Sequence, residues 1–221
     1  MDDADPVELW SRLRVWASRW ELPPPVLSAG WLCLPPGYRA AAVDGWIVRP
    51  LFEPPGDDDA ARVLEERTGL RVPADLRALY AVHGGSYAPL LPNGMSLLPY
   101  EAMLTAWQYW ATLTSQHPGW TPELAGDGTH YQWSVPWSWL PVAENDDGIM
   151  VLDSAPGPRG TAGQVLFPTD RVERVVVASS VTDLLCRWLA ALDSGEVRFD
   201  PALGHAVPVD PARSCADVLR R

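Results

Sequence analysis

The groups in this sequence that could do chemistry are few and scattered. The four histidines are single and far apart, and Cys33, Cys186 and Cys215 form no C-x-x-C pair. Metal centres and nucleophile–base sets need ligands at close, defined spacings, so neither a metal nor thiol catalysis is expected. All 17 basic residues are arginine, which removes the phosphate-loop lysine and Schiff-base chemistry. The patterns G-x-S-x-G, H-E-x-x-H and G-x-G-x-x-G do not occur. His83-Gly84-Gly85 has the look of an esterase oxyanion-hole loop, but it follows a helical pattern and no nucleophile elbow accompanies it. It reads as the end of a helix. Glu144-Asn145-Asp146-Asp147-Gly148 has calcium-like acids, yet position 12 counted from Asp146 is Gly157 rather than the glutamate an EF-hand needs. It reads as a polar turn. Gly157, Gly160 and Gly163 make a loose glycine loop, but a phosphate cradle opens a helix, and Gln164–Phe167 reads as a strand. No enzyme activity, cofactor or metal is expected.

One constellation stands out. From Arg77 to Arg159 there is no basic residue in 81 positions. That stretch holds Glu101, Glu123, Asp127, Glu144, Asp146, Asp147 and Asp153, and six of the twelve tryptophans: Trp107, Trp110, Trp120, Trp133, Trp137 and Trp139. Tryptophan is enriched at binding hot spots, and unopposed acids steer a cationic partner. The candidate partner-binding residues are Glu101, Trp137, Trp139, Glu144, Asp146 and Asp147. Trp107 and Trp110 lie on a helical apolar stripe and are expected in the core. A small-molecule pocket lined by Trp133, Trp137 and Trp139 is a further reading.

Composition narrows the partner. The formal net charge is −11 and the pI about 4.7. Phosphate binding draws on Lys and Arg, so nucleic acid and anionic membranes are poor partners and a basic protein is the better one. The chain has 221 residues, of which 47% are apolar; one domain with its own core is expected. Odd, wide cysteine spacing suggests a reducing cytoplasm. Residues 1–6 carry no basic and apolar leader pattern, and no run of 18 apolar residues occurs.

The elements that must position these residues follow from periodicity. A helix starts at Asp5-Pro6, with Glu8 completing a capping box and Leu9, Trp10, Leu13, Trp16, Ala17 and Trp20 on one face. Residues 23–56 are proline-rich, with one strand expected within Trp46–Phe52. Asp57–Asp59 open a second helix with Val63 and Leu64 inward and Gly69 as its cap. Pro73 begins a third, carrying Leu76, Leu79, Tyr80 and His83. Pro99 begins a fourth, with Met103, Leu104, Trp107, Trp110 and Ala111 on one face. The period then changes to short runs: Leu140–Val142, Ile149–Leu152, Gln164–Phe167 and Arg174–Ala178, the first two joined at a turn at Asp147-Gly148. Ser180–Asp183 reads as a capping box for a last helix with Val181, Leu184, Leu185, Trp188, Leu189 and Leu192 inward. The fold class is α+β: a single domain with a mainly antiparallel central sheet flanked by helices. Residues 1–56 form an N-terminal helix and proline-rich extension, 57–195 the core, and 196–221 a C-terminal strap of the same domain.

Thr68-Gly69-Leu70-Arg71-Val72-Pro73-Ala74-Asp75-Leu76-Arg77-Ala78-Leu79-Tyr80, followed by His83-Gly84-Gly85, resembles the "lG..LP.dl..ly..hnG" signature of the SUKH superfamily, the SMI/KNR-type immunity proteins. Leu97–Glu101, Leu140–Ala143, Gly148, Val151–Asp153, Gly160, Gly163–Val165 and Val177–Ser180 follow in the family's order. Position 181 is valine where the family often has phenylalanine, and 21–56 and the tail from 196 are not covered. The resemblance implies a non-catalytic α+β domain that binds a polymorphic toxin, often a nuclease or deaminase, and blocks it. A regulatory scaffold of the yeast cell-wall-regulator type, with no toxin partner, is the alternative. Neither the oligomeric state nor the toxin's identity follows from the sequence.

Overall fold

The structure, a computed structural model, describes residues 4–19, 26–28, 41–43, 46–48, 54–86, 88–117, 123–132, 136–145, 148–168 and 174–220. Helices α1 (Pro6–Ala17), α2 (Asp58–Thr68), α3 (Ala74–Tyr80), α4 (Tyr100–Gln116), α5 (Val181–Asp193) and α6 (Cys215–Leu219) accompany ten strands. Strands β1 (Val26–Ser28), β2 (Ala41–Val43) and β3 (Trp46–Val48) pair among themselves in the order β1-β3-β2. The central sheet runs β4 (Ser96–Leu97), β5 (Trp139–Asn145), β6 (Gly148–Asp153), β7 (Gln164–Pro168), β8 (Arg174–Ala178) in spatial order, antiparallel throughout. The domain is therefore α+β with an antiparallel sheet.

Alternation along the strands sends side chains to two faces. Leu140, Val142, Met150, Leu152, Val165, Phe167 and Val177 enter the main core, where α5 brings Leu184, Leu185, Trp188 and Leu189 and α1 brings Trp10 and Leu13. Ile149, Val151 and Leu166 point the other way and form a separate, smaller cluster with Trp139, Val176 and, from α4, Ala106 and Trp110. The α5 stripe is buried as its periodicity demands. Trp188 is fully buried, and its indole N–H donates to Leu90 O at 2.8 Å.

Capping explains where the helices stop and start. Asp5 Oδ1 accepts from Val7 N, and Asp57 Oδ1 accepts from Ala60 N. Gly69 ends α2 at φ +73°, a left-handed position that only glycine takes without cost. Ser180 caps α5 by accepting from Asp183 N, but the Asp183 carboxylate reaches one residue further back, to Ser179 N and Oγ.

Several expectations are corrected. Val63 is exposed, because Ala61, Leu64 and Thr68 at i, i+3 and i+7 define the buried face of α2. Helix α3 ends at Tyr80, before His83-Gly84-Gly85. Those glycines serve a crossing instead: Gly84 N donates to Pro54 O at 2.8 Å, and a Cβ on Gly84 would lie 2.7 Å from that oxygen. Gly148 belongs to β6, paired with Asn145, whose Oδ1 accepts from its N–H. The tail is more than a strap. Strands β9 (Val197–Asp200) and β10 (His205–Pro208) form a hairpin, and α6 buries Cys215, Ala216, Val218 and Leu219. A capping box between Ser214 and Asp217 starts that helix.

Two stability predictions follow from these contacts. Leu185→Ala should cost about 2–5 kcal/mol in denaturant unfolding, since the side chain lies where the core cannot collapse; a loss under roughly 0.5 kcal/mol would contradict that packing. Ser214→Ala removes the cap on α6 and should cost about 1 kcal/mol, read as a lower denaturation midpoint at unchanged slope.

Candidate functional site

The candidate residues sit on the α4–β5 side of the sheet. Leu98 N donates to Val142 O at 2.9 Å, so α4 begins beside the second half of β5. Further along, Trp107 of α4 meets Trp137 edge to face, ring centroids 6.0 Å apart. Trp137 lies in a 3-10 turn, Pro136–Ser138, just ahead of β5. It is 55% exposed and so stands outside the core. Tyr109, 62% exposed, stands edge-on to Trp110, also at 6.0 Å. Trp107 and Trp110 are half-buried, less enclosed than their place on a helical stripe suggests.

The acids take the other end. Glu101 is exposed in the first turn of α4, and Glu144 is exposed on β5, paired with Ser96 and Ile149. Glu144 is five residues from Trp139 along the strand, roughly 15 Å at the usual rise. The structure thus separates an acidic end from an aromatic end of one face. Asp146 and Asp147 lie outside the described residues, as do Trp120 and Trp133, so the three-tryptophan pocket is not described.

Trp139 has a different surrounding from Trp137. It is half-buried against the outer cluster, and the Arg174 guanidinium lies over its ring, 4.9 Å from the centroid. Its indole N–H is buried with no acceptor among the described residues. Arg174 is placed by the sheet itself. The β6–β7 ladder ends at Val151 opposite Leu166, and two residues on Ile149 would face Pro168, which has no N–H to donate. Arg174, paired with Pro168 from β8, supplies the missing donor: its Nη1 gives to Ile149 O at 2.7 Å. Burial without a carboxylate partner among the described residues draws its pKa down to about 10. Nothing in the spacing of the sequence signalled this arginine.

The edge of β8 is closed by side chains. The Gln132 amide pairs with the backbone of Arg174 in both directions, accepting from its N–H at 2.9 Å and donating to its C=O at 3.1 Å. His130, almost fully buried, has Nε2 2.9 Å from the same carbonyl and Nδ1 2.9 Å from Thr129 Oγ1. Both ring nitrogens are engaged in structure. Asp153 is buried nearby; desolvation raises its pKa, while Gln164 Nε2 and Ala155 N donate to it. The Cys215 thiol is pushed up to about 11 by burial. These groups hold the fold and face no open cleft. A shallow cleft of about 290 Å³ between α1 and α5 is lined by Arg12, Trp16, Leu189 and Asp193, and the Arg12–Asp193 ion pair crosses it. Among the described residues no group of three His, Cys, Asp or Glu could hold a metal, and no helix is long and apolar enough to cross a membrane.

The signature stretch after α2 turns out to be a set of fastenings. Thr68 Oγ1 donates to Leu64 O and accepts from Leu70 N. Glu65 accepts from Val72 N and pairs with Arg77 at 2.8 Å, and its pKa is lowered, first by the Val72 bond. Asp75 Oδ2 accepts from Thr182 N and Oγ1, which ties α3 to the start of α5. Residues 55–187 match the sequence profile of the SMI1 / KNR4 family (SUKH-1). The chain belongs to that family. No curated protein matches it. In this SUKH-1 protein the stretch from Glu65 to Tyr80 thus lies in the scaffold, and the exposed aromatic residues stand on a face that scaffold holds up.

A pair of indole deletions tests the two environments. Trp188→Phe should cost more than about 2 kcal/mol, because it leaves Leu90 O unpaired in the core. Trp139→Phe removes a donor that has no acceptor among the described residues and should cost less than about 1 kcal/mol. Equal losses in denaturant unfolding would contradict the assigned bonding.

Proposed function

We propose that this SUKH-1 protein is an immunity-type protein that binds and neutralises a polymorphic toxin, occluding it without catalysis of its own. The observation that carries this reading is Trp137: more than half exposed, seated on Trp107, in a stretch of 81 residues without a cation. A large rigid aromatic side chain held out in water is what a binding hot spot requires. Glu101 and Glu144, with Asp146 and Asp147 next in the sequence, supply the negative charge, and the net charge of −11 acts in the same sense. A toxin with a basic groove, as nucleases that grip phosphate possess, fits this charge; nucleic acid does not. Cytoplasmic action alongside such a toxin accords with the unpaired Cys186 and Cys215.

The test begins with co-purification of the tagged protein from its host and mass spectrometry of what stays bound. A toxin domain is the expected companion; a signalling or cell-wall protein in its place would contradict the proposal. With that domain purified, Glu101→Arg combined with Glu144→Arg should slow association by about tenfold at low salt and much less at high salt, since exposed charges act on encounter. Association as fast as wild type at low salt would show that this acidic end does not guide docking.

A further inference from the structure

Helix α4 is covered far less than its composition calls for. Of its 17 residues only Tyr100 and Met103 are buried, while seven of the 13 residues of α5 are. Both helices are rich in large apolar side chains, yet Leu104, Trp107, Trp110 and Leu113 of α4 remain half-buried. A helix on the surface of a globular protein turns a charged face to water. From Ala102 to Gln116 this one carries no charged residue at all. Its exposed positions are Thr105, Gln108, Tyr109, Thr112, Ser115 and Gln116. Depletion of charge with aromatic enrichment is the composition of an interface core rather than of a free surface.

The threonine and serine hydroxyls on this face are already satisfied, which leaves the Gln108 and Gln116 amides and the Tyr109 phenol as the polar groups a partner would meet. Thr105 Oγ1 donates to Glu101 O, Thr112 Oγ1 to Gln108 O, Thr114 Oγ1 to Trp110 O and Ser115 Oγ to Thr112 O, all at 2.7–2.9 Å. Hydroxyls bonded back onto their own helix leave no donor stranded when water is removed. These hydroxyls can be dried at low cost, whereas charged Lys and Glu side chains in their place could not. The two exposed rings, Tyr109 and Trp137, are each braced edge-on by a half-buried partner, so little rotamer freedom remains to be lost on binding.

We infer that the solvent face of α4, with Trp137 beside it, is the dry centre of a docking interface for a protein that presents an apolar patch ringed by cationic residues. The inference rests on the proposed toxin-binding role and extends the seat of affinity from Trp137 to the face of the helix beside it. Glu101 at the head of α4 and Glu144 on β5 form its rim, which is why the complementary ring is cationic. A second copy of the chain is the wrong occupant, because pairing two copies through this face would bring the same acids together in molecules of charge −11.

The experiment places a photo-crosslinking amino acid at Gln108, Tyr109 or Thr112 of α4, or at Glu144 of the acidic end, in the full chain, with Leu203, exposed on the β9–β10 turn, as control. Irradiation in the host should join the α4 positions, and not Leu203, to the co-purifying toxin domain, through a peptide next to Lys or Arg. With the purified pair, Tyr109→Ala and Trp137→Ala should each speed dissociation by about thirtyfold, the size expected of a hot-spot residue, with little change in association. Thr112→Lys should abolish measurable binding and Thr112→Ser should not. Unaltered unfolding midpoints keep these effects separate from folding. Crosslinks from α4 to a second copy would overturn the inference. So would a toxin that crosslinks from Glu144 but never from α4, although charge reversal at Glu101 and Glu144 would then still slow association and the toxin-binding role would stand. If no position crosslinks and charge reversal is silent, the role and the inference fail together.

Discussion

An antiparallel sheet that carries apolar side chains on both faces has to be covered twice. In this protein the inner face is covered fully: α5 and α1 fill it with Trp188, Leu184, Leu185, Trp10 and Leu13. Among the described residues, the outer face, with Ile149, Val151 and Leu166, receives only Ala106 and Trp110 from α4, beside Trp139 and Val176 of the sheet itself. One helix is left to serve both the rim of the main core and the outer cluster. Its first turns bury Tyr100 and Met103, and the rest is left half-covered. The unoccupied aromatic surface is a consequence of that imbalance.

Fastening this arrangement takes polar contacts at three places. Asp75 joins α3 to α5. The passage of residues 54–56 across Gly84 joins the segment before α2 to the end of α3. Gln132 and His130 close the β8 edge at Arg174, so that no bare backbone is presented there for another strand to pair with. Arg174 in turn covers the gap that Pro168 opens in the ladder and lies over Trp139. Asp75 and Gly84 of this chain therefore stand where one helix must be pinned to another or where backbone must approach backbone.

Much of this was legible in the residues. The α5 stripe, the Gly69 cap, the limits of β8 and the antiparallel α+β class followed from period, caps and turn residues. The tail from 196 was misread because its strands are short and proline-flanked, although Ser214 and Asp217 at capping-box spacing announced a helix start. Trp107 and Trp110 looked like core because a stripe reports which residues share a face, not whether anything covers it. Arg174 gave no signal at all: its placement depends on Pro168 and Ile149 lying in one row across three strands, which is tertiary information. Of the described candidates, Glu101 and Glu144 lie at one end of the α4–β5 side of the sheet and Trp137 and Trp139 at the other.

Binding would then divide between the two ends, with acids governing encounter and aromatic rings governing lifetime. Hydroxyl-radical footprinting of the full chain, alone and with the toxin domain proposed as its partner, reads the second of these directly. Oxidation of Tyr109 and Trp137 should fall sharply in the complex, while Val15 and Leu203, equally exposed elsewhere on the surface, should be unchanged. Unprotected Tyr109 and Trp137 in a saturated complex would contradict the claim that this face is where the partner sits.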